Sequence, residues 1–301
     1  MLNNSNVLSR ADFLRNFSLL TGGAILTSAM LSAYKKLEGS EMQLGLVTYL
    51  WAKDWDISTI IKNCTEAGIG GVELRVEHAH RVTLELSKEQ RNEVKKHFAG
   101  SAVKIIGMGT NEQYDSPEPE KLKLAIETTR QWLQLSADIG GSGVKVKPNQ
   151  FHKDVPKEKT LEQIGKALNE LGNYANNMGQ KVRLEVHGEG TQELPNIKTI
   201  MDFVENDGTT VCWNCNDQDL IGKGFEYNFN LVKNRLGDIT HVRELNIGTY
   251  PYQQLMDMFV KMDYKGWILL ECRTDPTDKV AALKEQRQVW KEMVAKAQAK
   301  L

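Results

Sequence analysis

The sequence has no excess of charge of either sign. Its 38 lysine and arginine residues nearly balance 39 aspartate and glutamate residues, which leaves a formal net charge of -1. A protein that binds nucleic acid through its phosphates usually carries a marked basic excess, because its cations replace the counterions of the backbone. We therefore expect the protein not to bind nucleic acid.

Strong hydrophobicity and abundant cysteine are also lacking. Charged residues make up 26% of the 301 residues and the mean hydropathy is -0.43, which excludes a bundle of membrane helices. The four cysteines are too scattered for a disulfide framework. Cys212 and Cys215 form a C-x-x-C pair, but no second such pair accompanies them. We interpret them as buried structural thiols rather than as a redox or zinc half-site.

The first forty residues differ from the rest of the chain. Arg10 and Arg15 precede a stretch that carries no charge until Lys35 and is rich in small residues. This pattern resembles a bacterial export signal and predicts a periplasmic or exported protein. The alternative is an uncleaved membrane tether or a disordered extension. If the leader is not functional, we expect a cytoplasmic protein. We assign residues 1–40 to the leader and residues 41–301 to the folded domain.

From Met42 onward, short β-branched runs alternate with longer amphipathic stretches. This alternation is typical of βα units around a parallel sheet. The predicted strands are QLGLVTYL, GGVELRV, AVKIIGMG, GVKVKPN, KVRLEVHG, TVCWNCN, ITHVREL and WILLECR. With eight predicted helices between and after them, they indicate an α/β fold, a single-domain (β/α)8 TIM barrel. A doubly wound open sheet is disfavoured because no G-x-G-x-x-G follows the first strand.

Charged and polar side chains lie near the carboxyl ends of the predicted strands. Barrel strands are buried on both faces, so a charged side chain there costs free energy unless it is paired or used. All these strand ends meet at one mouth of a barrel, which predicts an active site there. The residues concerned are Glu73, Arg75, Lys145, Lys147, Arg183, Glu185, His187, Asn214, Asn216, His241, Arg243, Glu271 and Arg273.

Glu185 and Glu271 are the predicted catalytic residues. They come from the fifth and eighth predicted strands, and each follows an apolar run. Two carboxylates that face each other across a barrel mouth can bridge a divalent cation. They can also remove a proton from one face of a substrate and return it to the other face.

Four segments carry a resemblance to a known family: GLVTYLW, VRLEVHG, HVRELN and YKGWILLE. From Met42 onward the chain resembles the sugar phosphate isomerase/epimerase group of xylose isomerase-like barrels, which includes ketose 3-epimerases and inosose dehydratases. The resemblance implies a divalent metal held by Glu, Asp, His and Glu from the fifth to the eighth strand, with the two glutamates as acid/base pair. Glu185 and Glu271 match this pattern, whereas Asn214 stands at the aspartate position and Arg243 at the histidine position.

These two departures leave two models of the site. In the first, Mn²⁺, Mg²⁺ or Zn²⁺ is held by Glu185, Asn214 and Glu271, with His241 or His187 replacing the missing histidine. In the second, no metal is bound and Arg243 supplies the positive charge. We favour the first model, with His241 as the fourth ligand.

The remaining residues of the predicted site offer contacts to a substrate. Aromatic rings near strand ends can stack on the C–H faces of a sugar. No glycine-rich nest accompanies the lysines, so a phosphorylated substrate is not established. The predicted substrate-binding residues are His187, Arg243, Lys145, Lys147, Glu73, Trp51, Trp213 and Arg273.

We predict a sugar isomerase or epimerase that abstracts a proton next to a carbonyl group, with a small sugar or keto-sugar as its partner. One alternative is a lyase or dehydratase that eliminates a leaving group from a keto-sugar or keto-glycoside. Another is a sugar-binding barrel without catalysis. The family resemblance also implies a homodimer.

Overall fold

The computed structural model describes residues 41–301, and the predicted leader, residues 1–40, lies outside the described residues. Eight parallel strands pair in sequence order and close into a barrel, with β8 beside β1. The predicted (β/α)8 barrel is therefore confirmed. The strands are β1 Gln43–Val47, β2 Gly71–Arg75, β3 Lys104–Gln113, β4 Gly143–Lys147, β5 Lys181–Glu185, β6 Thr209–Trp213, β7 Leu236–Val242 and β8 Trp267–Leu270.

One α-helix follows each strand. Local signals set several of the helix starts: Asp56 accepts a hydrogen bond from the Thr59 amide, and Ser87 forms a capping box with Gln90. No helix within residues 41–301 is long and apolar enough to cross a membrane. The helices are α1 Ile57–Ala67, α2 Lys88–Ala99, α3 Pro119–Ile139, α4 Lys157–Asn176, α5 Leu194–Asp202, α6 Phe225–Val232, α7 Tyr252–Lys261 and α8 Lys279–Gln298.

All eight strands have bounds that differ by a few residues from the sequence prediction, and the differences in β3 and β7 affect the site. β3 continues to Gln113, beyond the predicted end at Gly109, and its register with β4 shifts between these two residues. β7 begins at Leu236 rather than Ile239 and ends at Val242, so that Arg243 follows the strand. Hydrophobic patterning identifies the strands but does not fix where backbone pairing stops.

Arg183 closes the barrel interior at the amino-terminal end of the strands. Its guanidinium donates to both carboxylate oxygens of Asp238 at 2.8 and 2.7 Å, to Ser142 Oγ at 2.6 Å and to the Ile106 carbonyl at 3.3 Å. The expectation that Arg183 reaches the mouth is therefore wrong. It shares a face with Glu185, but it lies two residues, about 7 Å, lower along the strand.

All four cysteines are buried and free. Cys212 joins a small apolar cluster with inward-facing residues of β1, β3, β7 and β8. This finding agrees with the interpretation of the C-x-x-C pair as structural thiols.

Candidate active site at the carboxyl ends of the strands

Five ionisable side chains meet inside the barrel near the mouth. Glu73 comes from β2, Lys145 from β4, Glu185 from β5 and His241 from β7, while Glu271 directly follows β8. None of them is more than 6% exposed to solvent. Buried ionisable groups cost free energy unless their charges compensate one another. The protonation state of each of these five groups therefore depends on the other four.

His241 lies between three carboxylates. Its Nε2 is 3.3 Å from Glu73 Oε1, and its Nδ1 is 3.4 Å from Glu185 Oε1 and 3.9 Å from Glu271 Oε2. Burial alone would lower the pKa of His241, but its contacts with Cys212 and with the carboxylates of Glu73 and Glu185 outweigh burial and hold that pKa well above its usual value. The imidazole is therefore positively charged when no metal ion is bound to it.

Lys145 forms the second positive centre of the network. Its Nζ is 2.8 Å from Glu185 Oε2, in an ion pair without hydrogen-bond geometry, and donates to the Thr110 carbonyl at 3.3 Å. Burial opposes its charge, but Glu185, Glu73 and Glu271 outweigh burial and raise the pKa of Lys145. This ammonium stays protonated and remains beside the carboxylate of Glu185.

The two predicted catalytic glutamates have unlike environments. Burial tends to raise the pKa of Glu185, but the charges of Lys145 and His241 reverse this and hold it well below its usual range. For Glu271, burial and the charge of Glu185 outweigh the effect of His241, so its pKa is raised. The pKa values of the two carboxyl groups are therefore shifted in opposite directions by their surroundings.

Glu185, His241 and Glu271 could hold a metal ion. Each offers one ligand atom, and these atoms all lie within 4.8 Å of one another. Both ring nitrogens of His241 are buried without a hydrogen-bond partner, so either of them could bind a metal ion. A divalent cation on a neutral His241, together with Lys145, would balance the charges of Glu73, Glu185 and Glu271. The residues therefore fit a divalent metal.

Three other residues of the predicted site lie just past the strands. Asn214 is 5% exposed, and its side-chain nitrogen donates to the Val186 carbonyl at 3.3 Å. His187 is half-buried, and its Nδ1 has no partner. Arg243 is also half-buried, and its Nε has no partner. His187 Nδ1 and Arg243 Nε therefore have no hydrogen-bond partner among residues 41–301.

Two basic residues form the rim of the mouth at the ends of β2 and β4. Arg75 Nη2 and Lys147 Nζ both donate to Asn111 Oδ1, at 3.2 and 3.1 Å. The guanidinium of Arg75 also stacks over the Tyr49 ring, 5.3 Å from its centroid. Burial and the charge of Lys145 lower the pKa of Lys147 to about 8. Arg75, Lys147 and Asn111 are called the basic rim below.

Four other predicted substrate contacts lie outside the basic rim and differ in their burial and position. Glu73 is fully buried below the glutamate pair. Trp51 is 2% exposed and donates to the Thr274 carbonyl at 2.9 Å, which joins two loops. Trp213 packs outside the barrel against α6, and Arg273 is exposed. Alternation explains Trp213: it occupies the opposite face of β6 from Asn214, so the expectation that it faces the mouth is corrected.

Sequence reasoning missed Thr110 and Asn111 because it ended the third strand at Gly109. Thr110 accepts from Lys145 through its carbonyl oxygen, and Asn111 accepts from both basic residues of the rim. The polar run TNEQ directly after a predicted apolar strand was the available signal.

The chain belongs to a known family. The family model described as xylose isomerase-like TIM barrel matches residues 61–293. No curated protein is similar enough in sequence to count as a match. The group suspected from the sequence is therefore confirmed at the level of the family.

Solved structures share this fold. A 3-keto-D-glucoside 4-epimerase from E. coli is 14% identical, with 83% of this chain and 99% of that chain covered and a TM-score of 0.70. An L-ribulose 3-epimerase is 15% identical over 86% and 96%, with a TM-score of 0.70. The IolI protein with a bound zinc atom is 13% identical over 85% and 99%, with a TM-score of 0.71. At these identities the similarity shows the fold.

Proposed function

We propose that this protein is a sugar isomerase or epimerase in which Glu185 and Glu271 move a proton at the carbon next to a carbonyl group. The observation that carries this proposal is the convergence of the two buried carboxylates, with opposite pKa shifts, on His241. Two similar folds belong to proteins described as epimerases of a keto-glucoside and a ketose, which supports a sugar as the substrate class.

The two glutamates divide the proton transfer between them. Glu185, kept ionised by Lys145, accepts the proton when the substrate C–H bond breaks. The electron pair of that bond moves toward the carbonyl oxygen and gives an enediolate. Glu271, whose pKa is raised, binds a proton more readily than Glu185 and donates it to the opposite face of the carbon. A new C–H bond forms with inverted configuration, and the negative charge moves to Glu271.

The triad of Glu185, His241 and Glu271 would hold the metal. A bound divalent cation supplies Lewis-acid stabilisation of the negative charge on the substrate oxygens. Imidazole in the donor set favours Mn²⁺ or Zn²⁺ over Mg²⁺, which prefers oxygen ligands. The two carboxylate oxygens of Glu185 have different neighbours: Oε1 lies near His241 Nδ1, and Oε2 lies near Lys145 Nζ.

Solvent exchange tests the proposal. The protein is incubated in D₂O with Mn²⁺ and a set of neutral, carboxylated and phosphorylated ketoses, and deuterium at the carbon next to the carbonyl is measured by NMR. We expect wild type to incorporate deuterium and Glu185→Gln to lose about 10²- to 10⁴-fold in rate, the usual contribution of one general base. Glu120→Gln, at an exposed position of α3, is the matched control and should behave as wild type.

Other products would contradict the proposal. An absorbing enone product would indicate β-elimination and hence a lyase. Sugar binding without deuterium exchange in wild type would indicate a binding barrel without catalysis.

A further inference from the structure

The basic rim has no carboxylate partner. Among residues 41–301, the side-chain nitrogens of Arg75 and Lys147 share one acceptor, the neutral amide oxygen of Asn111, at 3.2 and 3.1 Å. Two fully buried cations of the barrel are, by contrast, each paired with a carboxylate: Arg183 with Asp238, and Lys145 with Glu185. Arg75 and Lys147 form no such ion pair at their half-buried positions.

Arg75 and Lys147 lie at the same mouth of the barrel as the glutamate pair. Arg75 ends β2 and Lys147 ends β4, on either side of β3. Arg75 is close enough to Lys145 and His187 to interact with both electrostatically, and Lys147 interacts with Glu185 and Glu271. A ligand that contacts the two glutamates would therefore lie within reach of the basic rim.

The basic rim gives the mouth a positive charge when a metal is bound. With a divalent cation on neutral His241, Lys145 and the cation balance the charges of Glu73, Glu185 and Glu271. Arg75 and Lys147 then add two further positive charges.

Two further polar nitrogens at this mouth have no partner. His187 Nδ1 and Arg243 Nε are buried and make no hydrogen bond with residues 41–301. Buried polar groups without partners are rare in folded proteins, because an unpaired group loses its hydration without compensation. Their number agrees with a ligand that carries several acceptor oxygens.

We propose that the substrate of this site is a sugar derivative with an oxyanionic substituent, a carboxylate or a phosphate, which Arg75 and Lys147 bind. The planar guanidinium of Arg75, held in place over the Tyr49 ring, can donate two parallel hydrogen bonds to such a group. Lys147 adds a point charge on the other side of Asn111. This inference rests on the proposed function in one respect, that the ligand is a sugar bound at the glutamate pair.

Calorimetric titration with three matched ketoses tests the inference. The probes are D-fructose, D-fructuronate and D-fructose 6-phosphate, titrated into the Mn²⁺-loaded protein at one fixed ionic strength. We expect at least one anionic probe to bind about tenfold or more tightly than fructose, since charge-assisted hydrogen bonds are about twice as strong as those between neutral groups. The tighter of the two anions identifies whether a carboxylate or a phosphate is the bound group.

Substitutions in the basic rim test whether the anion binds there. Arg75→Met and Lys147→Met should each bring the affinity for the anion to within about threefold of that for fructose, measured on the same variant. Lys104→Met is the matched control, because Lys104 is exposed at the amino-terminal end of β3. Arg75→Lys, which keeps the charge but loses the planar fork, should retain part of the preference.

Two results would overturn the inference. One is equal affinity of wild type for fructose and both anions. The other is tighter anion binding that neither rim variant weakens, which would place the anion elsewhere. Failure of the proposed function is separate: anion binding that depends on Arg75, with no deuterium exchange in wild type, would keep the inference and refute the isomerase.

Discussion

His241 is the residue on which the charge of the site depends. The family resemblance places a metal-binding histidine at position 243, where this chain has arginine, and His241 lies two residues earlier on β7. At about 3.3 Å per residue, this places the imidazole about 7 Å deeper in the barrel. There it contacts Glu73 as well as Glu185 and Glu271, which are close enough to form a ligand triad with it.

Metal content tests the role of these residues. We expect wild type to retain close to one Mn²⁺ or Zn²⁺ per chain after dialysis, measured by mass spectrometry. His241→Gln and Glu271→Gln should lose it, because each removes one of three ligands. Asn214→Ala should retain more metal than these variants, since the Asn214 side chain donates to the Val186 carbonyl.

A metal-free wild type would contradict the metal site and favour the second model, in which Arg243 supplies the positive charge. In that case Arg243→Gln, rather than His241→Gln, would be expected to cause the larger loss of activity.

At the scale of elements, β3, β4 and β5 approach closely around the guanidinium of Arg183. The approach requires glycine at Gly107 and Gly143. A Cβ on Gly107 would meet the Gly143 carbonyl oxygen and lie 2.7 Å from Arg183 Nη1. The buried charge at the base of the barrel is therefore accommodated by two residues without side chains.

The substitution Gly107→Ala should destabilise the protein by about 1–3 kcal/mol, the usual cost of overpacking a core. The reason is the contact of the new methyl group with the Gly143 carbonyl and Arg183. Urea unfolding monitored by circular dichroism measures this change in the free energy of unfolding.

Gly100→Ala is the control, because its Cβ would have only ordinary contacts, the nearest at 3.5 Å from the Lys96 carbonyl oxygen. Equal stability of the two variants would show that β3 and β4 move apart at little cost.

At the scale of the whole molecule, the pH dependence of stability has one contribution that can be isolated. His80 is 5% exposed; its Nε2 hydrogen-bonds the Arg75 carbonyl at 2.8 Å, and its Nδ1 accepts from the Val82 amide at 3.1 Å. Only the neutral ring can satisfy both contacts. Burial, aided by His78, lowers the pKa of His80 to about 4.

The sign of the pH effect follows from this shift. In the unfolded chain His80 binds a proton below about pH 6.5. In the folded protein it stays neutral down to about pH 4. Protonation therefore favours unfolding, and the free energy of unfolding should fall by about 3 kcal/mol between these pH values.

Urea unfolding at pH 7, 5.5 and 4.5 measures this effect. His80→Gln should be less stable than wild type at pH 7 but should lose less stability on acidification. Parallel pH profiles of the two proteins would refute the assignment, because all other titrating groups are shared.

The local patterns of the chain predicted the strands and helices but only part of the arrangement of the site. All eight strands and eight helices were predicted, because β-branched runs and amphipathic stretches depend on local sequence. Alternation also placed Glu185 and His241 on inward faces correctly. It could not tell that Arg183 fills the base of the barrel, because alternation gives the face of a strand and not the depth along the barrel axis.

The sequence by itself determined the barrel, the inward faces of its strands and the presence of two glutamates at the strand ends. Tertiary structure decided which charges compensate one another. His241 and Lys145 reach the carboxylates of three other segments only because the sheet closes on itself. The stagger of neighbouring strands in a closed barrel fixes which residues share a level, and no local pattern of residues encodes that stagger.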